Sequence, residues 1–169
     1  WRDLGRPGAY LAAHRDMIRG TVDVFDDRSW PIRSHFPELP PAMVHAGATV
    51  EDSLLTPGVV VKGTVRRSVL GPGCVVEEGA VVEDSVLMDD VTVRLDAVVE
   101  AAVIDHRCEI AKGAKVGSVP KRWPPSDSGV VLVGREYLRD PDFALRAAAD
   151  LHVDIDYIPQ PYRRAYRSR

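Results

Sequence analysis

The sequence predicts a mainly β protein whose chain winds as a triangular parallel coil of about four turns, with short helices on its flanks. Four segments of similar sequence begin at positions 51, 66, 83 and 100, so their spacings are 15, 17 and 17 residues. Repetition at a nearly constant period indicates that each unit buries its apolar side against the next. The four segments are EDSLL, RRSVL, EDSVL and EAAVI.

A three-column pattern within the repeats supports this fold. From Ala48 to Val116 an apolar residue recurs every five or six positions, with one step of four from Val61 to Val65, and each is preceded two positions earlier by a small or β-branched residue. Two-residue spacing places both members of such a pair on the same side of a strand. The pattern predicts three short strands per coil, about 17 residues per coil and about 4.8 Å between coils. An antiparallel sandwich of short alternating strands is the alternative, although a sandwich requires no three-column register. The columns are Val50, Val65, Val82, Val99 and Val116; Leu55, Leu70, Leu87 and Ile104; and Val61, Val76, Val93 and Ile110.

Turn-forming residues fall between these pairs, where the coil has to turn a corner. The same register places Cys74 and Cys108 in one column, two coils apart and about 9–10 Å from each other. That separation exceeds the reach of a disulfide. We therefore expect two free thiols that act as small inward fillers. The predicted corner residues are Gly58, Gly71, Gly73, Gly79 and Gly113, with Pro57 and Pro72.

Length and composition limit the possible classes of protein. With 169 residues, of which 45% are apolar, the chain is long enough for one ordinary domain with a packed core. The net charge of −3 gives no reason to expect a nucleic acid partner. No apolar run approaches the roughly 20 residues of a membrane-spanning helix. Two cysteines fit a reducing compartment, so we expect a cytoplasmic protein. Because the first residue is Trp1 and not Met, we also expect the chain to be part of a longer one.

The flanks of the repeat differ from it in pattern. An apolar stripe predicts a helix from about Pro7 to Arg19, and Gly20 ends it. Prolines predict an extended linker over residues 21–43. The apolar run from Val130 to Val133 predicts a strand, and residues 141–151 a helix. The expected organisation is therefore a helical segment 1–20, the linker 21–43, the coil 44–139 and an unassigned tail 140–169.

The flanks and the end of the coil contain seven segments of distinctive sequence: Trp1–Gly5, Tyr10–His14, Asp27–Arg33, Leu39–Ala42, Ile104–Arg107, Lys112–Gly117 and Gly129–Glu136. In this order, over about residues 1–140, they resemble the C-terminal part of ADP-glucose pyrophosphorylase (glucose-1-phosphate adenylyltransferase). The resemblance implies a left-handed parallel β-helix of the hexapeptide-repeat type. Two positions depart from the family pattern, since Leu4 and Arg6 stand where the family usually has Val and Thr. Nothing after about Asp140 resembles the family.

The resemblance implies an enzyme that makes ADP-glucose and pyrophosphate from ATP and glucose 1-phosphate, for glycogen or starch synthesis. Such chemistry needs a glycine-rich phosphate loop, cationic groups and carboxylates for a divalent metal. This sequence contains no glycine-rich loop of that kind, because Gly71-Pro72-Gly73 is a predicted corner of the coil. We therefore expect a regulatory and assembly domain that is not catalytic alone, in an enzyme that is a homo-oligomer, as a rule a tetramer.

Four residues are candidate site residues through the resemblance. Asp3 matches the family's Mg²⁺ ligand, which acts beside a second carboxylate outside this chain, and a hard cation prefers such oxygens. Arg135, Arg107 and His106 match basic positions that hold a sugar-phosphate or other anionic effector, and an Arg fork suits phosphate. The alternative for each of the four is an ordinary solvated surface charge.

Three other functions are compatible with a coil of this kind. A hexapeptide-repeat acyltransferase would use His106 as its catalytic histidine, but such enzymes usually extrude a loop from the coils, and no insertion interrupts the register. A γ-type carbonic anhydrase needs three histidines at one metal, whereas only His45 and His106 lie in or beside the coils. A non-catalytic scaffold that oligomerises a partner is the third.

Overall fold

The computed structural model describes residues 3–22, 29, 31, 38–120, 122, 123 and 125–134. These residues contain one α-helix, α1 (Pro7–Ile18), one short 3-10 turn (Asp127–Gly129) and fifteen short strands. The strands are β1 Met43–Val44, β2 Thr49–Glu51, β3 Leu54–Leu55, β4 Val60–Val61, β5 Thr64–Arg66, β6 Val69–Leu70, β7 Val75–Val76, β8 Val81–Glu83, β9 Val86–Leu87, β10 Thr92–Val93, β11 Val98–Glu100, β12 Ala102–Ile104, β13 Glu109–Ile110, β14 Lys115–Gly117 and β15 Val131–Val133.

Every third strand joins the same sheet, so the chain winds around three parallel sheets. Sheet A has the order β1-β4-β7-β10-β13, sheet B β2-β5-β8-β11-β14 and sheet C β3-β6-β9-β12-β15. All of the strand pairs are parallel. The prediction of a parallel β-helix of about four coils is confirmed, and the antiparallel sandwich is wrong.

The register agrees with the three predicted columns. Val65 is paired with Val82 in sheet B, Leu70 with Leu87 in sheet C, and Val76 with Val93 in sheet A. The structure lengthens two of the columns, because Val44 pairs with Val61 and Val133 with Ile104. The inward side chains form one closed core with Cys74 and Cys108 among them. Neither cysteine forms a disulfide and both are buried, as predicted. Burial raises the pKa of the Cys74 thiol to about 12.

One corner of the coil explains why the first two repeats, at positions 51 and 66, are 15 residues apart and not 17. Only Lys62 and Gly63 separate β4 from β5, whereas four residues separate β7 from β8. The chain can turn this tightly because residue 63 is glycine: a Cβ there would lie 2.3 Å from the carbonyl oxygen of Ala80. The two missing residues leave a recess of about 400 Å³ on this edge of the coil, lined in part by His45, Lys62 and Glu78.

The corners between sheets B and C are turned without glycine in four of the coils. Asp52, Arg67, Asp84 and Ala101 each have a φ between 43° and 49°. The serines that follow the first three of them form a ladder along the coil axis. The Oγ of Ser85 accepts a hydrogen bond from the Ala102 N–H at 3.1 Å and donates one to the Glu83 carbonyl at 2.7 Å. Ser68 and Ser53 repeat both contacts one and two coils earlier. The repeated serine therefore provides an acceptor for a buried backbone amide at each of these corners.

Helix α1 packs on the outer face of sheet C. It begins at Pro7, where the missing N–H of proline costs nothing, and it ends at Ile18, one residue before the predicted end. Leu11 is buried against Val86, Val103 and Val130 in a second, smaller apolar cluster. No helix among the described residues is long and apolar enough to cross a membrane.

Part of the predicted organisation lies outside the described residues. Most of the linker, including Trp30, and the predicted helix 141–151 belong to that part. The division into segments 1–20, 21–43, 44–139 and 140–169 therefore stays a prediction.

Candidate functional site at the joint between helix and coil

A buried carboxylate lies where α1 meets the coil. Asp84 occupies the corner between β8 and β9 with a φ of 49° and is only 6% exposed. Arg67, one coil earlier, donates from Nε to Asp84 Oδ1 at 3.1 Å and from Nη2 to Oδ2 at 2.9 Å. Arg15 of α1 also donates to Asp84 Oδ1. Arg67 also pairs with Glu83, so two guanidinium groups face two carboxylates.

Because this cluster is buried, its charges are tolerated only if their hydrogen bonds have good geometry. The side chains of Arg15 and Asp84 are 11% and 7% exposed. A buried charge is costly unless it is paired and hydrogen bonded. The bidentate contact from Arg67 meets that requirement for Asp84. Burial, and then the nearby Arg67, lower the pKa of Arg15 to about 10, so its guanidinium still carries a full charge at neutral pH. We call this cluster of Arg15, Arg67, Glu83 and Asp84 the joint. Its paired charges make it a specific contact between α1 and the coil.

The loop before β15 holds α1 at two further points. The guanidinium carbon of Arg15 lies 4.8 Å from the ring centroid of Trp123, within cation–π distance. Near the start of the helix, the N–H of Gly8 donates to Asp127 Oδ1 at 3.0 Å. A Cβ at residue 8 would lie 2.7 Å from the Pro125 carbonyl oxygen, so only glycine allows this approach. Helix, loop and coil therefore meet through defined polar contacts.

A small void of about 10 Å³ remains beside the joint, lined in part by His14, Arg15, Arg67 and Asp84. That volume is close to the minimum that holds one water molecule. The joint is therefore a packed interface and offers no room for a substrate.

The predicted metal ligand Asp3 is exposed and lies just before α1. One of its carboxylate oxygens, Oδ1, accepts the N–H of Gly5 at 2.9 Å. Within the described part of the chain, no three His, Cys, Asp or Glu side chains are grouped so that they could hold a metal. Asp3 can offer oxygen to Mg²⁺ from an accessible position, but a hard cation requires further oxygen ligands. Its metal role stays a prediction.

His106 and Arg107 lie together on an exposed corner of the coil. The side chain of Asp105 accepts the backbone N–H of His106 at 2.8 Å, and the same oxygen is 3.1 Å from His106 Nε2. Arg107 has a φ of 54° and donates its N–H to the Asp89 carbonyl of the previous coil. Arg135, the third predicted effector residue, lies outside the described residues. The effector roles stay predictions.

The residues of the joint were not among the predicted site residues. Arg67 and Asp84 occupy equivalent positions of the repeat, which makes them resemble solvated corner residues. The available signal was that Arg15 follows Leu11 by four residues and so lies on the same, buried side of the helix. Nothing in the sequence indicates which corner of the coil that side would meet.

This chain is similar to a family of domains and, over a longer stretch, to enzymes of one name. Residues 40–133, more than half of the chain, match the family model described as GlmU-like, C-terminal hexapeptide. A glucose-1-phosphate adenylyltransferase from Frankia casuarinae is 38% identical over 148 residues, which cover 80% of this chain and 36% of that protein. The enzyme of the same name from Acidothermus cellulolyticus is 40% identical over 149 residues, covering 83% and 36%. That from Streptomyces avermitilis is 45% identical over 82 residues, covering 47% and 20%. The chain thus spans about a third or less of the curated relatives that it matches.

Proposed function

This chain belongs to the family of GlmU-like, C-terminal hexapeptide domains, and from that premise we propose that it is the regulatory and assembly part of a glucose-1-phosphate adenylyltransferase. The observation that carries the proposal is the extent of the similarity. The match to the Frankia casuarinae enzyme covers 148 residues, whereas the match to the hexapeptide family is confined to residues 40–133. Coil repeats occur in proteins of several functions, so the flanks identify the enzyme. The acyltransferase alternative lacks that support.

The whole enzyme would transfer the adenylyl group of ATP to glucose 1-phosphate and release pyrophosphate. We assign this chemistry to the part of the enzyme outside the third that this chain spans. Mg²⁺, when bound, would neutralise charge on the phosphates. Asp3 would offer one carboxylate oxygen to it, from a position five residues before Gly8, where α1 is held against the loop.

The coil would contribute assembly and control. Arg135, Arg107 and His106 would attract a sugar phosphate or another anion, with Arg135 as the principal residue. His106 is the weakest of the three, because Asp105 already contacts its ring. The outer faces of sheets A and B would provide contact surfaces for a homotetramer.

The test compares the full-length protein with this chain alone. We expect the full-length protein to form ADP-glucose and pyrophosphate from ATP and glucose 1-phosphate with Mg²⁺ present, and we expect no turnover by the chain alone. Light scattering should give a tetramer for the full-length protein. Absence of ADP-glucose would contradict the proposal. Unchanged kinetics with inorganic phosphate and hexose phosphates after replacing Arg135 and Arg107 would favour a pure scaffold.

A further inference from the structure

The first turn of α1 has no capping side chain of its own. The N-cap residue is Arg6, which has an extended backbone and makes no side-chain capping hydrogen bond, and the first turn contains no acidic residue. The first N–H groups of a helix find no acceptor within the helix, and a side-chain oxygen at the N-cap position usually provides one. In α1 that acceptor has to come from another part of the chain.

Asp127 provides the missing acceptor from the loop before β15. Its Oδ1 accepts the N–H of Gly8, the second residue of α1, at 3.0 Å. The carboxylate also places negative charge at the positive end of the helix dipole, where it is favourable. The coil therefore caps the helix across a separation of 119 residues in the chain.

Gly8 allows this contact because the loop lies directly against its Cα. A Cβ at residue 8 would lie 2.7 Å from the carbonyl oxygen of Pro125 and 3.0 Å from Asp127 Oδ1. Gly8 and Pro125 are both buried. Glycine is a poor helix former, so the helix itself gives no reason for it at this position. The close approach of the loop does, and this approach fixes where the helix begins.

The start of α1 leads back directly to the turn that contains Asp3. The N–H of Gly5 donates to Asp3 Oδ1 at 2.9 Å, and a Cβ at residue 5 would lie only 3.1 Å from that oxygen. This hydrogen bond engages Oδ1, so Oδ2 is the oxygen that the turn leaves for a metal ion. Hydrogen bonds to a carboxylate ligand orient it and change the affinity of a metal site. The direction of the Asp3 carboxylate thus depends on a turn that is anchored where Asp127 holds α1.

We propose that Asp127 is a positioning residue for the Mg²⁺ site, because it caps α1 and thereby fixes the direction of the Asp3 carboxylate. This inference rests on the proposed function. Asp127 acts through the start of the helix and the turn between Asp3 and Gly5, and it is not itself a metal ligand. The coil thus contributes to the affinity of the enzyme for its divalent metal.

The experiment measures the binding of Mn²⁺ alone to the full-length protein, from the decrease in the electron paramagnetic resonance signal of the free ion. Asp127→Ala should raise the Kd of Mn²⁺ about fivefold, the factor that corresponds to the loss of one helix cap. Asp127→Asn keeps the acceptor without the charge, so its Kd should stay within about twofold of the wild type. Equal losses in the two variants would overturn the inference, because Asp127 would then act through its charge and not as a cap.

Gly8→Ala provides a second test from the helix side of the contact. Alanine favours a helix more than glycine does, so an independent helix would be stabilised by this change. In this protein the added Cβ would displace the loop and with it Asp127, and we expect the Kd of Mn²⁺ to rise as in Asp127→Ala. A Kd equal to that of the wild type would contradict the inference, since the contact would then have no influence on Asp3.

The matched control is Glu77→Ala. Glu77 Oε2 accepts the N–H of Leu95 at 2.9 Å, so it also holds a backbone amide, but in an exposed contact within the coil that does not involve α1. We expect this variant to keep the wild-type Kd of Mn²⁺. A rise as large as that in Asp127→Ala would overturn the inference, because the effect would then follow from the loss of any such contact.

Steady-state kinetics separate positioning from stability and from the proposed function. In Asp127→Ala the Mg²⁺ concentration that gives half of the maximal rate should rise about fivefold, with kcat at saturating Mg²⁺ within about twofold of the wild type. A lower melting temperature with an unchanged Kd of Mn²⁺ would show that the cap only stabilises the structure, and the inference would be wrong. Wild-type Mn²⁺ binding by Asp3→Asn would also overturn the inference, while formation of ADP-glucose by the wild type would still support the proposed function. A wild-type protein that forms no ADP-glucose would overturn the proposed function and the inference with it.

Discussion

Replacing Ser85 by alanine tests whether the serine ladder stabilises the coil. Ser85 is 1% exposed, and its Oγ is the acceptor for the N–H of the buried residue Ala102 at 3.1 Å. Alanine would leave that amide without a partner in a position that water cannot reach. The Glu83 carbonyl would lose the Ser85 hydroxyl but would keep the Ala101 N–H at 3.1 Å. The net cost is therefore set by one unsatisfied buried donor, about 1–3 kcal/mol.

The assay is urea unfolding followed by far-UV circular dichroism and by tryptophan fluorescence. Coincident transitions and an unchanged slope show that the two proteins differ in stability and not in the extent of unfolding. In thermal unfolding, each kcal/mol should lower the midpoint by about 2–4 °C for a chain of this size. Ser53→Ala should cost less than Ser85→Ala, because Ser53 lies in the first coil, is only partly buried, and water can take its place.

The control is Ser118→Ala, since Ser118 is exposed and outside the ladder. A loss of less than about 0.5 kcal/mol in Ser85→Ala, the scatter expected for surface substitutions, would refute the reasoning. Equal losses in Ser85→Ala and Ser118→Ala would refute it as well, because the effect would then have no connection with the buried amide.

Three further predictions concern a buried thiol of the core, the tight corner at Gly63 and the exposed contact between Arg94 and Glu77. The buried Cys74 thiol, whose pKa is raised to about 12, should not react with a disulfide reagent at pH about 8 until the protein is unfolded in urea; fast native labelling would contradict its burial. Gly63→Ala should destabilise the protein by about 1–3 kcal/mol through overpacking, whereas Gly129→Ala, where a Cβ has room, should change stability by less than about 0.5 kcal/mol; similar denaturation midpoints would disprove the explanation of the short corner. Hydrogen bonds from Arg94 lower the pKa of Glu77, so the stabilisation is present above the ordinary value of 4.5 and is lost as the pH falls through the lowered value. Arg94→Gln should return the Glu77 pKa towards 4.5, and an NMR carboxyl titration without that change would count against the contact.

The register of the coil was predictable because it follows from a local rule applied repeatedly. Each inward residue, such as Val82, stacks on an equivalent residue of the coils before and after it, so similar side chains recur at the period of the coil. The strand at β1 was harder to predict, because it consists of only Met43 and Val44 and no earlier repeat supports it. The non-glycine corner at Asp84 was missed because aspartate tolerates a positive φ without an obvious signal in the sequence.

The candidate sites were predictable to different degrees. Asp3, His106 and Arg107 were located as exposed residues, consistent with either a site or a solvated surface. The joint and the loop residue Trp123 that contacts it were not predicted, because Arg15, Arg67 and Asp84 come from separate segments and Trp123 from a fourth. Contacts between such distant segments leave no periodic signal. The flanking segments nevertheless carried the resemblance to glucose-1-phosphate adenylyltransferase, and the Frankia casuarinae enzyme of that name matches 80% of this chain.

Sequence information was sufficient for the coil, its three columns and the lack of a disulfide between Cys74 and Cys108, because periodic burial forces equivalent residues into equivalent positions at every turn. The place of α1 on sheet C required the folded structure. A helix with one buried leucine can dock on many surfaces, and the choice among them depends on where a partner for Arg15 lies in three dimensions. Asp84 is that partner because the coil places Arg67 beside it, and a buried carboxylate is tolerated only with its counter-charges in place.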